Sequence, residues 1–334
     1  MRHKLYIGID IGGTKIAAAI VSEKGKILAR VKEPTPPHAR PQTILKVLRT
    51  TLKNLLSEAG ISKKQICGIG IGVPGLVNPG GTEILRTPNI ALTHFPLARA
   101  LKKTFSVPIL LGNDVNVGLL GEHWLGVGRG KKDIVSLFLG TGVGGGIIAH
   151  GQLLTGAKGF AAELGHMTMD IHGPLCHCGN HGCLEALTSR WAIERDIRQA
   201  IKRGEKTLIS ELTNGKLATI KSKTLKKALN KHDAVTTKIM RKVAKTIGSA
   251  CISLKHILNP ELIILGGGVI EACGDFILPI VQKEIKRDPF FAKIDPCRIA
   301  NARLTDDAVI LGAVALVKHQ DKPTRTKSLS QKSR

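Results

Sequence analysis

The sequence predicts an α/β fold built from two similar halves. Apolar, strand-like runs alternate with stretches of helical periodicity around glycine turns, which is the pattern of α/β architecture. A β-meander followed by a helix and a strand occurs twice, once from Leu5 and again from Asp133. At 334 residues the chain has room for roughly two domains, and 43% hydrophobic with only 3% aromatic residues implies mainly aliphatic cores.

In chain order, Leu5–Ile11, Lys15–Val21 and Lys26–Val31 read as strands separated by short I-G-G-T and S-E-K-G turns, an antiparallel meander. Pro34–Pro41 is a connection. Thr43–Ala59 has helical spacing through Ile44, Val47, Leu48, Leu52, Leu55 and Leu56, with Gly60 as its stop. Ile66–Val73 reads as a buried strand entering Pro74-Gly75, and Val107–Leu111 as another, followed by Gly112-Asn113-Asp114 and a helix to about Leu125. The second cycle opens with strands Asp133–Gly140 and Val143–Gly151. Residues 189–258 are helical, with the longest helix near Asp233–Leu258, and Glu261–Leu265 is a strand running into Gly266-Gly267-Gly268. Helices follow near 273–287 and 306–317. The last sixteen residues are polar and basic, and disorder is expected there.

Fifty Lys and Arg against 25 Asp and Glu give a formal charge of +25, which raises the question of nucleic acid. The basic residues are dispersed, however, with modest concentrations from Lys202 to Lys245 and after Lys318. Trp, Tyr and Phe total only ten, too few for a base-stacking platform. A solvated basic surface without a specific nucleic-acid partner is the expectation, and an anionic substrate would feel the same field. Cys67, Cys251, Cys273 and Cys297 lack pairing signals and fit reduced thiols of a cytoplasmic protein. Asp10 and a glycine pair interrupt the first apolar run, and no run reaches a membrane span, so neither signal peptide nor membrane partner is expected.

The densest chemistry lies between Glu163 and Glu185, where E-L-G-H is followed by C-H-C-G-N-H-G-C-L-E. Cys176, Cys178 and Cys183 supply thiolates, and His166, ten residues upstream of the first, can supply a fourth ligand. Three thiolates and an imidazole make the closed tetrahedral site of structural zinc. His172, His177 and His181 compete for the fourth place. Such a loop would fix where Glu163, His166 and Glu185 point.

Asp10-Ile11-Gly12-Gly13-Thr14-Lys15 lies between the first two strands. Its glycines expose backbone N–H groups, Thr14 adds a hydroxyl donor, and Asp10 is placed to hold hydrated Mg²⁺, together a cradle for phosphate. Walker spacing is absent. The device recurs at Gly140-Thr141-Gly142-Val143-Gly144-Gly145-Gly146, and the pair would grip one polyphosphate, although each alone also fits an ordinary turn. Gly266–Gly268 would let an adenine or ribose approach the backbone, or simply turn strand into helix. In Gly112-Asn113-Asp114-Val115-Asn116, Asn and Asp fit helix caps. The functional alternative makes Asp114 a general base that takes a hydroxyl proton as the oxygen attacks phosphorus.

On these motifs the chain resembles the ROK family of bacterial sugar kinases and repressors, and within it the glucokinases, from Ile7 to about Val317. D-I-G-G-T-K is similar to the family's first phosphate motif and L-G-T-G-V-G-G-G to its second. E-L-G-H with C-H-C-G-N-H-G-C-L-E is similar to its most specific signature. The resemblance implies two ribonuclease-H-like lobes of the sugar kinase, actin and heat-shock chaperone superfamily around a central cleft. The lobes would be 1–112 with 306–318 and 113–305, the latter holding the zinc loop and a helical insertion, with 319–334 a basic tail. It makes Asp114 the base toward the sugar's 6-hydroxyl, with Asn89, Asn113, Glu163, His166 and Glu185 on the other hydroxyls. His166 would serve zinc and sugar at once. Asp10, Gly12, Gly13, Thr14, Lys15, Thr141, Gly142 and Gly144 would hold ATP phosphates and Mg²⁺, with Gly267 near the nucleoside, and the protein would be a homodimer.

The expected activity is ATP-dependent phosphorylation of glucose at the 6-hydroxyl. An N-acetylmannosamine or fructose kinase would use the same machinery. A sugar-sensing repressor would need an N-terminal helix-turn-helix, for which a first strand beginning by Leu5 leaves no space. The basic charge and the tail depart from the family pattern, as does I-A-L-T-H-F-P-L after Asn89, which lacks the tryptophan of many relatives.

Overall fold

The computed structural model describes residues 4–88, 90–291, 293–295 and 297–319. The chain forms two compact units: one runs to Gly112 and resumes at Ile310, and the other is Asn113–Val309.

In the first unit, β1 (Leu5–Ile11), β2 (Lys15–Ser22) and β3 (Ile27–Pro34) form the expected antiparallel meander. Then come α1 (Pro41–Glu58), β4 (Ile66–Val73), the small hairpin β5 (Leu76–Val77) and β6 (Ile84–Arg86), α2 (Leu97–Lys102) and β7 (Ile109–Asn113). The sheet order is β3-β2-β1-β4-β7, with β4 parallel to β1. Strands β1, β2 and β4 are buried almost throughout and read as apolar runs, whereas β3 alternates between half-buried and exposed residues, as an edge strand does. Helix α1 buries Ile44, Leu48, Leu52, Leu55 and Leu56 on one face. It starts two residues before the expected Thr43, because a first-turn proline costs no hydrogen bond.

The second unit repeats the plan. Its elements are α3 (Asp114–Leu125), β8 (Ile134–Leu139), β9 (Val143–Ala149), β10 (Gln152–Leu153), α4 (Leu184–Thr188), α5 (Arg190–Lys202), α6 (Leu208–Leu212), α7 (Ser222–Asn230), α8 (Ala234–Leu258), β11 (Leu262–Gly266), α9 (Gly268–Lys286) and β12 (Ile299–Asn301). The order β10-β9-β8-β11-β12 matches that of the first sheet position for position, with β11 parallel to β8 and β12. Each unit is thus ribonuclease-H-like. A last helix, α10 (Ala308–His319), carries the chain back into the first unit, where the carbonyls of Ile310 and Ala313 approach Gly8 and Gly70. A Cβ at those glycines would come within 2.1 and 1.7 Å of these oxygens, so strands β1 and β4 need glycine there. The expected disordered tail falls on residues outside the described ones. No described helix is long and apolar enough to cross a membrane.

Buried carboxylates tie the second unit together. Glu122, fully buried, accepts N–H bonds from Arg303, Leu304 and Val127 at 2.8, 2.7 and 3.0 Å, pinning the end of α3 to the segment that leads into α10. Asp233 caps α8 through Thr236 N–H (2.8 Å) and also receives the Thr207 hydroxyl (2.9 Å) and Leu208 N–H (2.8 Å), joining α6 to α8. Burial works to raise its pKa, but the bonds from Thr236, Leu208 and Thr207 prevail and hold it below the ordinary value. A depressed carboxylate stabilises the fold above its unfolded pKa of about 4, and that contribution is lost as pH falls through the folded value. Asp233→Ala is therefore expected to cost about 2–3 kcal/mol at neutral pH. In urea denaturation the deficit against the unaltered protein should shrink below about pH 4.

Candidate active site

Strand β9 is the hub of the site. The N–H of Val143 donates to Glu185 Oε2 at 2.9 Å, which fixes the first turn of α4 against the start of the strand. Gly144 faces the first turn of α3, where a Cβ would lie 2.4 Å from Val115. The Val143 carbonyl sits where a Cβ on Gly165 would come within 1.9 Å, so E-L-G-H can approach the strand only with glycine at its third place. The segments that carry Asp114, Glu163, His166 and Glu185 thus all pack on β9, within one unit.

Asn113 caps α3, its Oδ1 accepting from Val115 N–H (3.0 Å) and Asn116 N–H (3.1 Å). The capping alternative is thus realised by Asn113. Asp114 is the first residue of α3, half-buried, with Oδ1 accepting from its neighbour Val115 N–H at 2.9 Å. Amide dipoles at a helix start favour negative charge there. Glu163 immediately precedes a short 3₁₀ turn, Leu164–His166. Although the residue is exposed, protein around its carboxyl raises its pKa; nearby His166 opposes that shift and Glu185 adds to it. The three groups therefore share one electrostatic environment.

His166, Cys176, Cys178 and Cys183 place their ligand atoms within 4.8 Å of one another. Sulfurs bonded to one zinc at about 2.3 Å in tetrahedral geometry sit about 3.8 Å apart. The Cys178–Cys183 separation is 3.7 Å, and Cys176 Sγ lies 3.9 Å from His166 Nδ1, so the donor set fits one ion. The competing histidines are engaged elsewhere or apart from the cluster: His181 Nδ1 lies 3.1 Å from the Gly173 carbonyl, and the His177 ring stacks on Trp191 with centroids 4.4 Å apart. His172 is exposed and outside the four-residue group. Cys176 Sγ also lies 3.7 Å from Glu185 Oε1, so the carboxylate that grips Val143 touches the cysteine cluster as well.

The 140–142 turn between β8 and β9 closes on itself, Gly140 N–H donating to Gly142 O at 2.9 Å, with Thr141 exposed. A Cβ on Gly142 would meet Glu185 Oε2 at 2.4 Å. Gly267 caps α9 with φ of 83° and lies against the backbone of Leu139, at the same end of the sheet. Arg190, which the motifs did not single out, anchors the turn: its N–H donates to Gly140 O (3.0 Å) and its Nη2 to Thr141 Oγ1 (2.7 Å). In the first unit, Asp10 is the half-buried penultimate residue of β1, and Gly12 N–H closes the hairpin onto Lys15 O at 2.8 Å, with Gly13 and Thr14 exposed at its tip. Thr35 steadies that tip from outside, its hydroxyl donating to Gly12 O at 2.7 Å. Asn89 lies outside the described residues.

The ROK family profile matches residues 6–320 of the chain. The chain belongs to the ROK family. Among the relatives of this ROK protein, the glucokinase of Thermotoga maritima is 35% identical over 316 residues, covering 94% of this chain and 97% of that one. The xylose repressor of Caldicellulosiruptor bescii is 30% identical over 311 residues, covering 93% of this chain and 77% of that one. A ROK family glucokinase from Streptomyces griseus, solved in complex with glucose and AMPPNP, superimposes with a TM-score of 0.81 at 32% identity, covering 94% of this chain and 99% of that one.

Proposed function

We propose that this protein transfers the γ-phosphoryl group of ATP to the 6-hydroxyl of glucose. The observation that carries the reading is Asp114 at the start of α3, whose next residue, Val115, packs on Gly144 of β9, the strand whose Val143 N–H is held by Glu185. The similarity to the glucokinases supports both substrates. In this reading Asp114 accepts the hydroxyl proton as the sugar oxygen forms its bond to phosphorus and the bond to the ADP oxygen breaks. Glu163, His166, Glu185 and the Asn113 amide hold the remaining hydroxyls. The exposed Gly13–Thr14 tip and the 140–142 turn offer donors to the phosphates.

Two ions belong to the proposal. Mg²⁺, for which the half-buried carboxylate of Asp10 beside a glycine turn is a fitting donor, would neutralise phosphate charge. Zinc at His166, Cys176, Cys178 and Cys183 would order the sugar-binding loop without taking part in chemistry. His166 would meet it through Nδ1, which leaves Nε2 for the sugar and fixes the tautomer. A homodimer without specific nucleic-acid binding completes the reading.

The test is turnover on a panel of glucose, fructose, mannose and N-acetylmannosamine with coupled detection of ADP. Glucose should give the highest kcat/KM. A preference for N-acetylmannosamine or fructose would move the substrate within the class. Binding of sugar without turnover of any would favour the sensing role of the repressor relatives. Gly142→Ala gives a second check. The added methyl must displace Glu185, and a misplacement near 1 Å should lower kcat/KM by about 100-fold while the fold stays intact.

A further inference from the structure

The 140–143 turn is poorer in available donors than its glycine content implies. Gly140 N–H is used within the turn, and Val143 N–H is used by Glu185. A side chain would then add to the charge offered to a phosphate chain, and Arg190 is a cation that touches this turn. Its guanidinium is held at two edges. Nη2 donates to Thr141 Oγ1 at 2.7 Å, while Nε faces Glu194 Oε1 at 3.5 Å.

Glu194 is itself 7% exposed and fixed by Ile220 N–H (3.1 Å) and Arg198 (3.6 Å), so it is a rigid backstop. The Arg190 side chain remains 30% exposed beside the exposed Thr141. A guanidinium carries five N–H donors in a planar fork, and these two contacts leave donors for tetrahedral oxyanions. The next residue, Trp191, stacks on His177 of the cysteine loop, which sets the start of α5 and with it the arginine.

We propose that Arg190 is a nucleotide-binding residue that contacts the phosphate chain of the nucleoside triphosphate. The inference rests on the assignment of the 140–143 turn to that nucleotide. Its test is calorimetric binding of AMP, ADP and a non-hydrolysable ATP analogue to the unaltered protein, R190M and R190K, with thermal melts to confirm folding.

In R190M, affinity for ADP and the ATP analogue should fall about 10- to 100-fold, and AMP should be affected less. The gain in affinity with each added phosphate should therefore flatten. R190K, which keeps the charge, should recover part of the loss, and the KM for sugar should stay within about twofold. Equal losses for all three nucleotides would reduce Arg190 to a strut for the turn and overturn the proposal, as would unchanged ADP binding in R190M. Absence of nucleotide binding to the unaltered protein would instead remove the reading on which it rests.

Discussion

Asp114→Asn is expected to lower kcat by about three orders of magnitude while leaving the KM for glucose and the melting temperature nearly unchanged. The substitution preserves shape and keeps an oxygen able to accept the Val115 N–H that Asp114 Oδ1 now holds at 2.9 Å. Asn113 continues to cap α3 through its own Oδ1, so the start of the helix survives. What disappears is a group that can take a proton from an alcohol. Phosphoryl transfer asks for positioning, charge neutralisation and one aimed base, and only the last is removed. A kcat within tenfold of the unaltered protein would show that Asp114 is only part of the helix start. A parallel loss of glucose binding would make it a sugar ligand rather than a base. Measuring Asn113→Ala alongside sharpens the distinction, since that change should cost about 1 kcal/mol of stability as a lost cap.

The sequence was most legible where the chemistry is local. The cysteine cluster could be read because its thiols are close in sequence, and His166 could be grouped with it at a separation of ten residues. The meanders could be read because their turns are short and their strands nearly all apolar. Features set by packing between distant segments were not legible. The glycines at 144–146 look like part of a phosphate cradle. Cβ atoms there would instead meet Val115, Leu164 and Leu119 at 2.4, 2.5 and 2.9 Å, so these glycines let α3 and the Glu163–His166 turn lie close on β9.

Helix α9 begins at Gly268, five residues before the apolar periodicity declares it, because Gly267 already caps it and three glycines hide the boundary. Strand β12, only three residues long, carries no alternation to detect and takes its place in the sheet from pairing with β11. Arg190 is one of 50 Lys and Arg residues, and nothing near it in sequence marks it. Its significance comes from a turn 49 residues away.

Cys178→Ser should abolish stoichiometric zinc and lower thermal stability, and it should also raise the KM for sugar. Cys178 is exposed, so the change opens no cavity in the core, unlike replacement of the fully buried Cys183. Structural zinc sites contribute on the order of 10 kcal/mol of binding energy to small domains. In a unit with its own aliphatic core, part of that is spent on ordering the loop alone, so the protein should stay folded with a lower Tm. Proton linkage gives a second reading of the same site. Without an ion, burial pushes the Cys176 thiol up to about 12, so binding must displace protons, and chelator extraction should be faster at pH 6 than at pH 8. On the proposed function, the link to catalysis would run through Glu185, whose two oxygens touch Cys176 and the N–H of Val143, and through His177 stacked on Trp191. Releasing the loop frees both contacts at once, which is why a sugar KM about tenfold higher is expected rather than a stability effect alone. Undiminished zinc in the variant would remove the metal assignment. A fall in Tm with unchanged KM for sugar would leave the metal as architecture and place the orientation of Glu185 in the hands of Val143.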